Sequence, residues 1–348
     1  MEVIRNIVNG PQLSITISDS SSIGECRRAA KQLAESFGFD DTQAGRICII
    51  ATEMAANILK HAATGSVLLQ VLDDGVLPEL EVLAIDKGPG MVDVDQCMRD
   101  GYSTNGTAGT GLGAISRLSS CFDLFSKEDG GTVALSRTVK RTSTSAPASP
   151  RKLKSGFELG AITMAVKGEL ECGDAWQVAV SGSAMAVLVA DGLGHGSLAA
   201  VAARTAAAAF AANPFEPPGS AMVNLHRALS GTRGAAAACL ILRAAEYRAD
   251  YAGVGNIYGA IATGERSRGM VSHNGTLGVQ LLRTQQFQYE WPAGSLAIMH
   301  SDGLSARWNL ADYPGLFQRH PAVIAAVLYR DNARVRDDAT VVVARYVQ

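Results

Sequence analysis

The sequence predicts two consecutive α/β domains, and three observations predict it. The chain has 348 residues, about twice the length of an ordinary domain. Strand-type and helix-type apolar patterns alternate on both sides of one break. The break itself, Lys140 to Lys154, holds Ser, Thr, Pro and basic residues and almost nothing to bury, which is linker composition. The expected division is a first domain over 1–139, a linker over 140–155 and a second domain over 156–348.

The elements follow in order. Leu13–Ile17 alternates apolar and polar residues and is expected as a strand. Ser20–Phe37 is expected as a helix opened by serine caps and stopped at Gly38. Asp40 or Asp41 caps a second helix reaching about Ala62, whose Ile47, Ile50, Met54 and Ile58 share a face. Strands are expected at Val67–Leu72 and Leu80–Ile85, followed by the turn Asp86-Lys-Gly-Pro-Gly90. A glycine-rich loop then runs through Gly109-Thr-Gly-Leu-Gly113 into the helical pattern Ala114–Ser119. Cys121–Ser126 and Thr132–Arg137 form a hairpin around Asp129-Gly-Gly131. Beyond the linker, Trp176–Val180, Ala184–Ala190, the segment from Ala235 through Cys239 to Leu242, Ser295–His300 and Val341–Tyr346 read as strands, and Ser197–Ala212 as a helix.

Composition narrows the function classes. With 47% hydrophobic residues and a net charge of −2, the chain is globular, and no basic block marks a nucleic-acid partner. No apolar run approaches the roughly 18 residues of a membrane span. The start, Met1-Glu-Val-Ile-Arg5, lacks the pattern of a secretory signal. Cys26, Cys48, Cys97, Cys121, Cys172 and Cys239 have no C-x-x-C spacing and read as reduced, mostly buried thiols. A cytoplasmic location is expected.

Three places in the first domain carry chemistry. Glu53, Asn57 and His61 are spaced i, i+4, i+8 and share a helix face, where a carboxylate can accept a proton and an amide oxygen can ligate Mg²⁺. Asp86 ends a strand, where it can accept a hydrogen bond from an exocyclic amine while Gly88 and Gly90 let a flat ring approach the backbone. Gly109-Thr110-Gly111-Leu112-Gly113 opens a helix whose free N–H groups suit a phosphate. Taken singly, the first reads equally as a solvated polar face, the second as an ordinary turn and the third as a weak glycine loop.

In this order and spacing the three resemble the GHKL ATPase family. Thr52-Glu-Met-Ala-Ala-Asn57, Asp86-Lys-Gly-Pro-Gly-Met91, Asp100-Gly-Tyr-Ser-Thr104 and Gly131-Thr132 resemble its anti-sigma-factor serine kinases, the RsbT-type switch kinases above all. The resemblance covers about residues 10–140 and implies a Bergerat-type two-layer α/β sandwich, a mixed sheet with helices on one face. It implies that Asp86 binds the adenine amine, Asn57 coordinates Mg²⁺ and Glu53 acts as general base on a Ser or Thr hydroxyl. It places Gly88, Gly90, Gly109, Thr110, Gly111, Gly113 and Thr132 around ATP, with a lid over 92–108. Phosphoryl transfer needs mostly positioning and charge neutralisation, which such a set supplies.

In the second domain, acidic residues recur where strand patterns end or begin. They are Asp174 in Glu171-Cys-Gly-Asp174, Asp191 in Asp191-Gly-Leu-Gly-His-Gly196, Asp302 in Ser301-Asp-Gly303, and Asp337 in Arg336-Asp-Asp-Ala-Thr340. Carboxylates brought together at strand ends suit Mg²⁺ or Mn²⁺, and a pair of such ions suits phosphoester hydrolysis. Any one Asp-Gly alone reads as a turn, and His195 alone as a loop histidine.

Together the four sites resemble the PPM-type metal-dependent Ser/Thr phosphatases. Asp191-Gly-Leu-Gly-His-Gly196, Ala252-Gly-Val-Gly-Asn256 and Gly275-Thr-Leu-Gly278 resemble the SpoIIE/RsbX branch. The resemblance covers about 156–348 and implies an α-β-β-α sandwich with two central sheets flanked by helices. It implies a metal shell of Asp174, Asp191, the Gly192 carbonyl, Asp302 and Asp337 holding two Mn²⁺ or Mg²⁺ ions, with no phosphoenzyme. The chain departs from the wider family in having Leu193 after the Asp-Gly pair, with His195, the candidate catalytic histidine, two residues on. No arginine stands out as the phosphate's partner.

The combined resemblance implies a kinase joined to a phosphatase, acting on STAS-domain regulators of sigma-factor or stressosome type. Two alternatives remain at this point: a phosphatase with an ATP-sensing or docking domain that does not transfer phosphate, and a module that mainly captures a STAS protein or sigma factor.

Overall fold

The computed structural model describes residues 4–9, 12–97, 111–140, 156–264, 266–281 and 283–347. The expected linker therefore lies outside the described residues except for Lys140, as do Gly109, Thr110 and most of the expected lid. The chain forms two compact units, Asn9–Arg151 and Met1–Val8 with Lys152–Gln348. Residues 1–8, expected with the first domain, thus belong to the second. The reason is strand pairing by β1 (Arg5–Asn9), described below.

The unit Asn9–Arg151 contains β2 (Leu13–Ile17), α1 (Ser20–Ser36), α2 (Asp41–Ala62), β3 (Gly65–Asp73), β4 (Glu79–Asp86), the short α3 (Val94–Cys97), α4 (Gly111–Leu118), β5 (Cys121–Lys127) and β6 (Gly131–Val139). The sheet order is β2-β3-β4-β6-β5. A mixed sheet was expected, but each of these pairings is antiparallel; the hairpin at Asp129–Gly131 reverses the chain between β5 and β6 and the short connection after Asp73 reverses it between β3 and β4. The helices lie on one face. Cys26, Ala30 and Leu33 of α1, Ile47, Ile50, Met54 and Ile58 of α2, and Ile115 of α4 pack with Val67, Leu69, Val82, Ala84 and Ala134 of the sheet.

Helix α1 is capped by Asp19 rather than by a serine. The Asp19 carboxylate accepts from the N–H groups of Ser21 (2.7 Å) and Ser22 (3.0 Å), and the Ser22 hydroxyl turns back to the cap. A carboxylate serves better here because its charge also complements the helix dipole. Asp40 caps α2, accepting from Gln43 N at 2.7 Å.

The other unit has two sheets. β7 (Phe157–Met164), β8 (Asp174–Ser181) and β9 (Ala184–Gly192) lead into α5 (Ser197–Ala212) and α6 (Pro218–Ala228). β10 (Ala235–Arg243), β11 (Arg248–Val254), β12 (Tyr258–Thr263), β13 (Arg266–Met270), β14 (Phe287–Glu290) and β15 (Leu296–His300) follow, then α7 (Pro321–Asn332) and β16 (Ala339–Tyr346). One sheet runs β14-β11-β10-β9-β8-β1 and the other β13-β12-β15-β16-β7. β1 adds to the edge at β8, with Arg5, Asn6 and Ile7 opposite Val180, Ala179 and Val178. Ile7 is buried there, and its carbonyl accepts from the Gln177 amide at 3.2 Å.

Helices α5 and α6 cover the first sheet, and α7 packs on β7 and β16 of the second. α5 reaches the sheet closely because its buried face is alanine: Ala199, Ala202, Ala203 and Ala206. Helix α7 and strand β7 carry no amphipathic signal, and this is why periodicity does not announce them. Val323–Leu328 are buried all round, so no polar face alternates with the apolar one. Among the described residues, no helix is long and apolar enough to cross a membrane.

Candidate functional site

The first site lies in the unit Asn9–Arg151, where α2, the end of β4 and the start of α4 meet. Gly111 opens α4 directly against α2. A β-carbon on it would stand 3.3 Å from Glu53 Oε2 and 3.7 Å from the Asn57 amide. The structure therefore brings Glu53, Asn57 and Gly111 together, although more than 50 residues separate Asn57 from Gly111 in the chain.

Asp86, at the end of β4, is fixed from two sides. Its Oδ1 accepts from Gly88 N at 2.9 Å and from Thr132 N at 3.1 Å. Gly131 precedes Thr132 with φ +76°, and a β-carbon there would run into the Asp86 carbonyl. Only glycine lets β6 begin so close to Asp86. The Thr132 hydroxyl bonds Ser126 Oγ at 2.9 Å, and Ser126 accepts from Met91 N at 2.8 Å. Ser126 thus ties the loop after Gly90 to the hairpin, a role with no signal in the sequence. His61 is exposed, yet what burial it has, then Lys60, lower its pKa while Asp86 acts to raise it. Gly113 is buried within α4, and Gly109 and Thr110 lie outside the described residues.

The second site lies at one end of the two sheets of the other unit. Asp174, the first residue of β8, pairs across the ladder with Asp191 near the end of β9. Gly192 N bonds Gly173 O at 3.0 Å. The second sheet contributes the rest. The Ser301 hydroxyl donates to Asp174 Oδ2 at 2.6 Å and accepts from Thr340 N at 3.0 Å. One hydroxyl thereby links β8 to the ends of β15 and β16, next to which Asp302 and Asp337 stand in the chain. Asn256 donates to Asp302 Oδ2 at 2.6 Å.

Asp338, named in the motif but not expected in the site, is its organiser. It is buried, and its two oxygens accept from Val166 N at 2.8 Å and Gly173 N at 2.9 Å. Ser301, Asn256 and Asp338 each stand within or beside a motif read from the sequence, and only their partners were illegible.

The electrostatics fit a site built for cations. Burial pushes Asp174 up to about 7, with Ser301 opposing and Asp338 adding to the rise. Burial, then Asp174, Asp302 and Asp337, push Asp191 up to about 9. Burial and Asp302 push Asp337 upward too. Asp174 Oδ1 is buried with no hydrogen-bond partner, a costly arrangement unless something positive meets it. Among the described residues no three His, Cys, Asp or Glu side chains stand in ready metal-holding geometry. The repelling carboxylates lean instead on Ser301, Asn256 and backbone N–H groups. The residues fit a hard divalent cation in type and number, and the Asp174 oxygen has no other partner.

His195 lies in the loop after Asp191 and its Nδ1 is 2.7 Å from Glu169 Oε1.

These folds and sites define a nucleotide-binding kinase-like ATPase domain joined to a PPM-type phosphatase domain. Residues 17–137 match the family described as Histidine kinase-like ATPase domain, and residues 181–347 match Stage II sporulation protein E (SpoIIE). The serine/threonine-protein kinase RsbT of Bacillus subtilis (strain 168) is 32% identical over 121 residues, which are 35% of this chain and 91% of RsbT. The chain belongs to the RsbT-like kinase family in its first part, and its second part carries a SpoIIE-type phosphatase domain. A solved structure described as the bacterial stressosome, a modular system adapted to control secondary messenger signalling, is 30% identical with TM-score 0.51, covering 54% of this chain and 99% of that one. A structure of RsbX with magnesium is 20% identical with TM-score 0.48, covering 56% and 98%.

Proposed function

We propose that the chain is a bifunctional switch enzyme: an ATP-dependent protein serine/threonine kinase and a metal-dependent phosphoprotein phosphatase. Its substrates are STAS-domain regulators of a partner-switching pathway in the cytoplasm. The observation that carries the phosphatase half is Asp174 opposite Asp191 with an unpartnered buried oxygen on Asp174, and with Asp302 and Asp337 near enough to raise the Asp191 pKa. Those four, with the Gly192 carbonyl, would hold two Mn²⁺ or Mg²⁺ ions, which when bound neutralise the phosphate and activate water. His195 protonates the leaving oxygen. Asp338, Ser301 and Asn256 hold the acidic residues in place.

The kinase half is supported by the meeting of Glu53 and Asn57 with Gly111. Glu53 accepts the proton of the substrate hydroxyl and Asn57 holds Mg²⁺. Asp86 reads the adenine amine beside Gly88, Gly90 and Thr132, and the segment from Gly109 through Thr110 and Gly111 to Gly113 meets the phosphates. Likeness to RsbT and to the stressosome structure supports STAS proteins as the substrate class.

The test is transfer of labelled phosphate from ATP to a STAS-domain protein of the same organism by the Asp191→Ala form. Labelled STAS protein, cleared on adding wild-type enzyme and Mn²⁺, is the expected result. No labelling of any STAS protein, with ATP still bound, overturns the kinase half. Persistent label on every one of them overturns the shared substrate.

A further inference from the structure

The loop between β7 and β8 carries a carboxylate, Glu169, that stands apart from the acidic residues of the site. Glu169 Oε1 meets His195 Nδ1 at 2.7 Å. A carboxylate has only acceptors, so this bond calls for the proton on Nδ1 and leaves Nε2 outside it. The side chain of His195 is 64% exposed and that of Glu169 35%. This imidazole is therefore open to a protein substrate and to reprotonation by solvent.

Glu169 is held at several points. Asp338 grips both ends of its loop, through Val166 N at 2.8 Å and Gly173 N at 2.9 Å. Glu169 N closes a turn on Val166 O at 3.1 Å, and Glu171 is paired with Arg204 of α5 at 3.1 Å. The carboxylate also lies over Gly196, where a β-carbon would stand 3.0 Å from Oε2. The same Asp338 that organises the acidic site thus fixes the residue that orients His195.

We propose that Glu169 is the positioning residue of a Glu169–His195 dyad that donates the proton to the leaving serine or threonine oxygen; this rests on the phosphatase reading above. As a water oxygen bonds to phosphorus, the phosphorus–oxygen ester bond breaks. Its electron pair goes to the leaving oxygen, which takes the proton from Nε2. His195 is left neutral with its proton on Nδ1, still shared with Glu169, and solvent reprotonates Nε2. The carboxylate fixes the ring and complements its charge before transfer. The dyad supplies the leaving-group acid that Leu193 cannot.

A purely structural Glu169 would serve only the N-terminus of α5. The two roles separate by leaving group. In full-length protein with saturating Mn²⁺, hydrolysis of p-nitrophenyl phosphate, which needs no acid, is compared with phenyl phosphate and a phosphoserine peptide, which do. His195→Gln and Glu169→Ala are expected to lose roughly 10–100-fold on the two demanding esters and to stay close to wild type on p-nitrophenyl phosphate. Glu169→Gln, which keeps an acceptor opposite Nδ1, is expected to recover part of the loss. Nitrogen–proton NMR correlations of His195 should report the Nδ1–H tautomer in wild type and in Glu169→Gln, and a mixture in Glu169→Ala.

An equal loss on all esters, no loss on any, or an unchanged tautomer in Glu169→Ala overturns the dyad. A wild-type enzyme that cleaves none of the esters overturns the phosphatase reading instead, and is recognised as such because the NMR result does not depend on turnover.

Discussion

Asp174 and Asp191 stand directly opposite one another on the paired strands β8 and β9. In an antiparallel ladder, opposite residues send their side chains to the same face, about 5 Å apart. Like charges so placed repel, and here Asp174 is buried and Asp191 half-buried. The pair is a local instability kept at the place where a cation would relieve it.

Metal-free stability should therefore fall as pH rises. Asp191 moves from an ordinary 3.8 to about 9 in the folded chain. Between those values the folded state binds a proton that the unfolded state has lost, so stability is full at the acid end and declines as pH climbs towards 9. Asp191→Asn removes the repulsion, and without metal it should melt a few degrees higher than wild type at pH 8. Mn²⁺ should raise the melting temperature of wild type and not of the variant. A variant that melts lower than wild type in chelator would contradict this account.

Removing the hydroxyl that joins the two sheets should cost both stability and activity. Ser301→Ala leaves Thr340 N buried without its 3.0 Å acceptor and Asp174 without its 2.6 Å donor. The expected loss is about 1–3 kcal/mol, read from urea unfolding of the metal-free protein. Mn²⁺-dependent hydrolysis of p-nitrophenyl phosphate should require more Mn²⁺ for half-maximal rate.

In the kinase-like unit, neighbouring glycines should behave differently. Gly131→Ala forces a β-carbon into the Asp86 carbonyl at φ +76°, whereas Gly130→Ala meets only the flexible Lys127 side chain at 3.1 Å. The first should destabilise by more than about 1 kcal/mol and weaken ATP binding, because Asp86 must shift. The second should change both by less than about 0.5 kcal/mol. Thermal melts and ATP titration of the two variants decide it.

Glu53→Gln should separate binding from chemistry. The side chain keeps its size beside Gly111 but can no longer take a proton. Phosphotransfer to a STAS protein should fall at least about 100-fold, with ATP affinity within about threefold of wild type. Unchanged transfer rules out Glu53 as the base.

The sequence by itself determined most of the elements that carry the sites. Leu13–Ile17 and Ser197–Ala212 form as expected, to the residue, because period-2 and period-3.6 apolar patterns are local. The motif residues were legible for the same reason: Asp86, Asp191 and Asp302 follow strand patterns at turns marked by glycine. Asp19 rather than a serine caps α1 because competing caps stand side by side and only geometry chooses between them.

What the tertiary structure alone decided is which motifs meet, and through what. The Ser301–Asp174 bond spans 127 residues, Val166–Asp338 spans 172, and β1 pairs with a strand about 170 residues away. Such contacts depend on sheet order and register, which no local pattern encodes. The buried helix α7 has no periodic signature in the sequence because burial on all sides erases the contrast that periodicity needs. The Glu169–His195 pair belongs to the same class: each residue is an ordinary loop side chain until the fold sets them 2.7 Å apart.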